Sequence, residues 1–303
     1  MRPRKRDDER DREDDASESA RGRSRIAGFL RTLLAGVPWS ESAEAEDAMQ
    51  LDAPRAGRLR IHNANGRTRV RGEEREDVHV LARKSARAES RNAAEELLRQ
   101  LRVVSRSEGG ALSLQVDAPR RWNRRGQVNL EVRVPRGLSV DVSAVNGRVE
   151  IEGIRGEVRA RSSNGSARIC DVIGNVEVAT SNAKVFCACT SGRLRARSSN
   201  GRIVLEDHRG DVDAATSNGL ITAQLAELGK GGVELCTSNG RIALCLPDEV
   251  DAEVDMAVDN GVIRNDRSLH DATRSDSGHV HGRLGKGGAL IKLRTSNGSI
   301  SLR

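Results

Sequence analysis

The sequence predicts an all-β chain: a stacked β-solenoid, or β-helix, of about 18-residue coils, with one short helix in its N-terminal part and a disordered N-terminal tail. Three observations carry this reading. Asn recurs at 146, 164, 182, 200 and 218, a strict interval of eighteen, and returns at 239, 260 and 297 after insertions. Around each Asn the apolar residues alternate: three residues on stand Val149, Ala167, Val185, Ile203 and Ile221, and twelve residues on stand Val158, Val176, Leu194 and Val212. The 303 residues hold only two Trp, two Phe and no Tyr, so the core must be built from Val, Ile, Leu and Ala, which suits thin, regular coils.

Met1–Arg25 carries nine basic and eight acidic residues without apolar periodicity. It cannot bury enough surface to offset the entropy of ordering, and it reads as a disordered charged tail. An amphipathic helix is expected over 26–38, because Ile26, Phe29, Leu30, Leu33, Leu34 and Val37 recur at helical spacing before Pro38 ends it. Residues 39–56, acidic and small, read as a linker. The solenoid domain spans 57–303: an irregular N-terminal part at 57–145 and the regular Asn-Gly repeats at 146–303. In the first part Asn65-Gly66 marks a tight turn between strands, and Asn92-Ala-Ala-Glu95 resembles a capping box opening the single helix. Strands resume at Leu112–Val116 and Val128–Val134.

Two period-two strands per unit, reversed by a Gly turn (Gly156, Gly174, Gly192, Gly210) and an Asn-Gly turn, cannot bury their own apolar faces. Stacking like on like buries them, and Asn146, Asn164, Asn182, Asn200, Asn218, Asn239 and Asn297 can then form a structural hydrogen-bond ladder between turns. A hydroxyl precedes each turn, at Ser163, Ser181, Ser199, Ser217, Ser238 and Ser296.

Val134-Pro-Arg-Gly137, Val145-Asn-Gly-Arg-Val149 and the recurring Thr/Ser-Ser-Asn-Gly strands resemble the bacterial putative-adhesin family of β-strand repeats, a toastrack-like domain of unknown function, over roughly residues 57–303. The resemblance implies a non-enzymatic β-solenoid, of a kind often linked to bacterial envelope-stress systems or surface interaction.

The residues themselves restrict the chemistry. Basic and acidic side chains nearly cancel, 51 against 44, and no stacking aromatics interleave with the basic ones, so no specific nucleic-acid binding is expected. Carboxylate pairs, nucleophile-base pairs and phosphate loops are not legible, so no catalytic residue, no cofactor and no enzyme activity are assigned. A carbohydrate-cleaving β-helix would use longer coils with loop-borne acids. The neutral Asn-Gly turns lack the carboxylates of calcium-binding repeats. His270, His279 and His281 could hold a metal, but no recognised ligand spacing links them, and a solvated loop is the expectation there. Among Cys170, Cys187, Cys189, Cys236 and Cys245 the spacing is that of reduced thiols. Cys187 falls on a core position, whereas Cys170 and Cys245 fall on an outward one and are the expected reactive thiols.

Basic residues recur in rows, Arg148, Lys184, Arg202 and Arg241 in one, and Arg159, Arg161, Arg195 and Arg197 in another. A row would weakly attract anions or a membrane surface; acids and neutral residues within the rows point instead to ordinary surface. No apolar run reaches membrane-spanning length and no signal-peptide pattern opens the chain, so the expected location is cytoplasmic, with a membrane-peripheral variant.

The function read from these features is that of a non-catalytic binding or scaffold protein, docking an unidentified protein partner through residues 26–37. The alternative is a polymerising, bactofilin-like scaffold. It would self-associate through the solenoid ends, since Ser299-Ile-Ser-Leu-Arg303 leaves the chain inside strand-like alternation with an open edge.

Overall fold

A segment that alternates small aliphatics with polar residues is apolar on one face only, and it needs copies of itself above and below to bury that face. The computed structural model, which describes residues 41–118, 126–275 and 278–303, shows how the chain supplies them. The charged tail and the apolar helix expected over 1–38 lie outside these residues. The chain enters through β1 (Glu41–Asp52), β2 (Arg58–Asn65), β3 (Thr68–Glu73) and β4 (Asp77–Ala88). Helix α1 (Arg91–Gln100) leads to β5 (Arg102–Glu108), β6 (Ala111–Asp117) and β7 (Gly126–Pro135). The regular coils begin with β8 (Ser139–Asn146), β9 (Val149–Ile154), β10 (Val158–Ser162), β11 (Ala167–Ile173) and β12 (Val176–Thr180). Three long strands, β13 (Val185–Ser198), β14 (Ile203–Asn218) and β15 (Ile221–Cys245), continue round corners. The last are β16 (Ala252–Asn265), β17 (His270–Ser275), β18 (His279–Leu284) and β19 (Ala289–Leu302).

The strands form two parallel ladders with the core between them. On one face β6, β2, β8, β10 and β12 pair in that order, and the second segment of β13 follows. On the other face the order is β7, β3, β9, β11 and the first segment of β13. From β8 to the start of β14 each residue sits on its equivalent eighteen positions away, so that Val140, Val158, Val176 and Leu194 make one buried column. Opposite it, Val149, Ala167, Val185 and Ile203 make another.

Asn65-Gly66 is a solenoid corner, not a hairpin: β2 and β3 lie in different ladders, and Asn65 is the first rung of the stack of Asn side chains. The Nδ2 of Asn146 donates to Oδ1 of Asn65 at 3.0 Å, and Asn164, Asn182, Asn200, Asn218 and Asn239 each donate in turn to the rung before, at 2.9–3.1 Å. Asn297 then donates to Asn239, at 2.9 Å, and Asn260 to Asn297, at 3.1 Å. A second set of bonds comes from a hydroxyl two residues before five of the Asn residues, one earlier than the serine row singled out in the sequence. Ser162, Thr180, Thr216, Thr237 and Thr295 donate to the glycine carbonyl of the coil below at 3.1–3.3 Å. The glycine of the turn fits tightly: a Cβ on Gly219 would lie 2.3 Å from the Gly201 carbonyl oxygen unless the backbone shifted. Where Ala183 replaces it, no hydroxyl bond to that carbonyl forms among the described residues, although the Asn ladder passes through unbroken.

Three expectations are corrected. Residues 41–52, within the segment read as a linker over 39–56, form β1, antiparallel to β4 from Glu41 opposite Ala88 to Asp52 opposite Asp77. Its acids suit an exposed sheet edge, where charge prevents pairing with other chains, and Glu46 and Asp47 are held by Arg83 and Lys84. Helix α1 is capped not at Asn92 but at Ser90, whose Oγ accepts a hydrogen bond from the Ala93 amide at 3.3 Å; Ala94 and Leu97 are its buried residues.

The third correction concerns the end of the stack. Strand β19 is no open edge: it pairs in parallel with β15 on one side and with β16 on the other. The coil of Asn297 therefore stands between those of Asn239 and Asn260. The outer side of β16 is paired, over Ala252–Ala257, with the antiparallel β18, which in turn pairs with β17. The N-terminal end mirrors this, since β2 and β3 are flanked on both sides while the later β6 and β7 stand outside them.

Replacing Asn200 by Val removes two ladder bonds and leaves the amides of Asn182 and Asn218 without their partners. We expect a loss of about 1–3 kcal/mol, read as a lower Tm in thermal denaturation. An unchanged Tm would mean that the ladder does not hold the coils together.

Candidate binding surface

Outward-facing side chains inherit the eighteen-residue register, so the rows read in the sequence exist in space, and acids of neighbouring coils neutralise the row of Arg159, Arg161, Arg195 and Arg197. Arg159 meets Glu157 at 2.7 Å and Glu177 at 3.4 Å, while Arg161 meets Glu177 at 2.8 Å. The Arg161 hydrogen bond, with Arg159 beside it, holds the Glu177 carboxyl below its ordinary range. Arg195 and Arg197 share Asp213, at 3.1 and 2.6 Å. Partial burial works to raise the Asp213 carboxyl, and the two guanidinium groups outweigh it and hold it low. In the other row Lys184 lies over the ring of Phe186 at 4.9 Å, with Arg168 over the same ring at 4.4 Å. Arg202 and Arg241 have no ion pair among the described residues.

His270, His279 and His281 do not converge. His279 Nε2 contacts Asp255 Oδ1 at 2.6 Å, His281 reaches Glu253 at 4.0 Å, and His270 is exposed on β17. Among the described residues no group of three or more His, Cys, Asp or Glu side chains is placed to hold a metal ion. Asp255 also accepts from Arg294 at 3.1 Å.

Cys187 lies in the core, where burial raises its thiol far above the ordinary range. Cys170, expected to be accessible, is half-buried, and burial raises its thiol too. Cys245 and Cys189 are the exposed cysteines. Cys189 stands seven residues after its Asn, at a corner where Gly153, Asp171 and Asp207 occupy the same place in neighbouring coils and all have positive φ. That backbone turns the side chain outward, an effect that strict alternation hides. Slight burial, followed by the Asp207 carboxylate, raises the Cys189 thiol.

One buried titratable group went unread in the sequence. His208 replaces an aliphatic in the column that begins Ile154, Val172 and Thr190, and its Nδ1 lies 2.9 Å from Thr190 Oγ1 and its Nε2 3.2 Å from the Asp211 carbonyl oxygen.

A groove of about 1120 Å³ lies where the first two Asn-Gly corners face the antiparallel pair β4 and β7. Its lining includes Arg67, Arg69, Arg83, Arg87 and Arg148, with Glu131 as the acid among them. Sequence reading could not find it, because Arg83 and Arg87 come to the corners only through the pairing of β4 with β7 and of β7 with β3.

A two-laddered parallel stack with a continuous row of Asn side chains at one corner defines a toastrack-type β-solenoid. The chain belongs to the Toastrack DUF4097 family, whose profile matches residues 57–303; β1 precedes the matched region. Among solved structures, a putative cell adhesion protein from Clostridium sporogenes is 7% identical, with 86% of this chain and 99% of that one covered and a TM-score of 0.30. A putative adhesin from Parabacteroides merdae is 9% identical, over 87% and 96% of the two chains, with a TM-score of 0.33. A putative lipid binding protein from Parabacteroides distasonis is 11% identical, over 86% and 96%, with a TM-score of 0.32. No curated protein matches the sequence.

Two measurements test the site assignments. A thiol reagent applied to the native protein should label Cys245 and Cys189 ahead of Cys170, and Cys187 only on unfolding; early labelling of Cys187 would overturn its core placement. His208 tests the buried polar column by pH. Burial holds its pKa below the ordinary imidazole value, so the folded protein keeps the ring neutral where the unfolded chain takes up a proton. Stability from this site is thus present above about pH 6.5 and is lost as pH falls through the depressed value. The nearby Asp211 carboxylate opposes the shift without reversing it. The drop in Tm between about pH 7 and pH 5 should be smaller in His208→Thr than in the parent, and equal drops would refute the assignment.

Proposed function

We propose that the chain is a non-catalytic binding scaffold of a bacterial envelope-stress or surface-interaction system, and that it docks a protein partner through an apolar helix over residues 26–37. The observation that supports this reading is β1. Its twelve residues run along β4, with Glu41 opposite Ala88. A helix over 26–38 would then be joined by only Trp39 and Ser40 to the edge of a rigid stack. Its six apolar side chains, Ile26, Phe29, Leu30, Leu33, Leu34 and Val37, cover most of about three turns, and so short a helix is marginal alone in water. It needs a surface, and a short tether holds it where a partner can meet both helix and stack.

A protein groove ranks first as that surface. Capping of the stack by its own helix ranks second, and a membrane interface third, because the acids Glu41, Glu44 and Glu46 on β1 oppose an anionic bilayer. Among the described residues no helix is long and apolar enough to cross a membrane.

The test compares the full chain with Phe29→Asp/Leu33→Asp and with a chain shortened to begin at Glu41, using partner capture, liposome flotation and sedimentation. Loss of a captured partner in both variants, with thermal stability and liposome binding unchanged, is the expected outcome. Retention of every partner with unaltered sedimentation would refute helix docking.

A further inference from the structure

The Asn ladder has a direction, and the large groove lies at one of its ends. In all eight of its side-chain bonds the amide nitrogen points toward the N-terminal end of the stack, from Asn260 through Asn297 and Asn239 down to Asn65. Asn65 accepts from Asn146, and among the described residues its own Nδ2 donates to nothing. Nine aligned side-chain amides thus end in a free N–H donor, as the backbone of a helix does at its N-terminus, and such aligned dipoles favour negative charge at the donor end. Asn65 lines the groove.

The arginines of the groove carry the same sign and are poorly neutralised. Arg67, Arg69 and Arg148 crowd a single carboxylate, Glu150, at 3.8, 3.8 and 3.7 Å, all beyond hydrogen-bonding range. Arg69 also lies 3.7 Å from Glu152. Arg87 is exposed and has no ion pair among the described residues. Arg83 alone is well matched, to Glu46 at 2.9 Å. Glu131 is 3.5 Å from Arg133. This contrasts with the row beyond, where Arg195 and Arg197 close on Asp213 at hydrogen-bond distance.

We propose that this groove binds a ligand through a phosphate group carrying two or more negative charges, a phosphate monoester or a diphosphate. The guanidinium forks of Arg67, Arg148 and Arg87 would meet the phosphate oxygens, and the Asn65 amide would donate to one of them. A single carboxylate leaves most of these donors unmet; a multiply charged phosphate has the oxygens to accept from several at once. The inference goes beyond helix docking and does not depend on residues 26–37.

The probe is inorganic pyrophosphate, titrated calorimetrically into the full chain at low ionic strength. Vesicles of phosphatidylcholine with and without phosphatidic acid are floated in parallel. The expected result is saturable pyrophosphate binding that weakens as salt rises. Arg67→Gln/Arg148→Gln and Asn65→Ala should each weaken it about tenfold, while Arg202→Gln/Arg241→Gln, exposed and far along the stack, should leave it unchanged. Arg87→Gln serves as a second variant, because an exposed arginine without an ion pair can be changed without unfolding the protein; it too should weaken binding. Flotation with phosphatidic acid vesicles, competed by pyrophosphate, identifies a lipid headgroup as the source of the phosphate; pyrophosphate binding without flotation identifies a soluble one. Absence of pyrophosphate binding, or equal losses in the groove variants and in the Arg202/Arg241 control, would overturn the proposal.

Discussion

Everything in this molecule depends on parallel, in-register stacking, because it sets each residue directly above its own equivalent. A side chain survives in such a column only if it tolerates copies of itself about 4.8 Å away. Small aliphatics do, and they fill the interior. Asn does so better than any other polar residue here, since one amide offers both a donor and an acceptor and a column of them satisfies itself. Charges cannot, so Arg159 and Arg161 find Glu177 one coil on, and Arg195 and Arg197 find Asp213. Phe186 stands between cations, not beneath another ring.

The same rule explains the exceptions. His208 sits in an apolar column, but the coil below offers Thr190 and the corner beyond offers the Asp211 carbonyl, so both ring nitrogens have partners. At the corners seven residues past the Asn, Asp171, Cys189 and Asp207 hold the left-handed conformation that Gly153 adopts freely. Repetition of the strain in successive coils shows that the corner is imposed by the stack rather than chosen by each residue.

Much of this architecture was legible in the sequence because periodicity is a one-dimensional signal. The interval between Asn146 and Asn218 gave the coil length, the alternation gave the buried columns, and the near absence of aromatics gave the thinness of the core. What remained hidden is what periodicity cannot encode. Asn239, Asn260 and Asn297 carry the same turn, so their equivalence is visible but their order in space is not, and the stacking order 239, 297, 260 came only from strand pairing. Strand β1 was hidden because an edge strand wears acids on both sides, which in sequence looks like a linker. The basic groove was hidden because its two walls, from β4 and from the corners at Asn65 and Asn146, are distant in the chain.

The placement of β19 between β15 and β16 sets the order of events during synthesis. A simple solenoid can wind coil by coil as it leaves the ribosome, each turn settling on the last. Here the strand that ends beside the coil of Asn239, residues 289–302, is translated after residues 252–284, which lie farther out in the finished stack. Until that strand arrives, the outer coil and its hairpin have nothing to rest on, and the exposed faces of β15 and β16 each offer an unpaired backbone. The stretch between the completed middle of the stack and the arrival of the last strand is thus an interval in which unpaired strand backbone is open to mispairing and a chaperone would have something to protect.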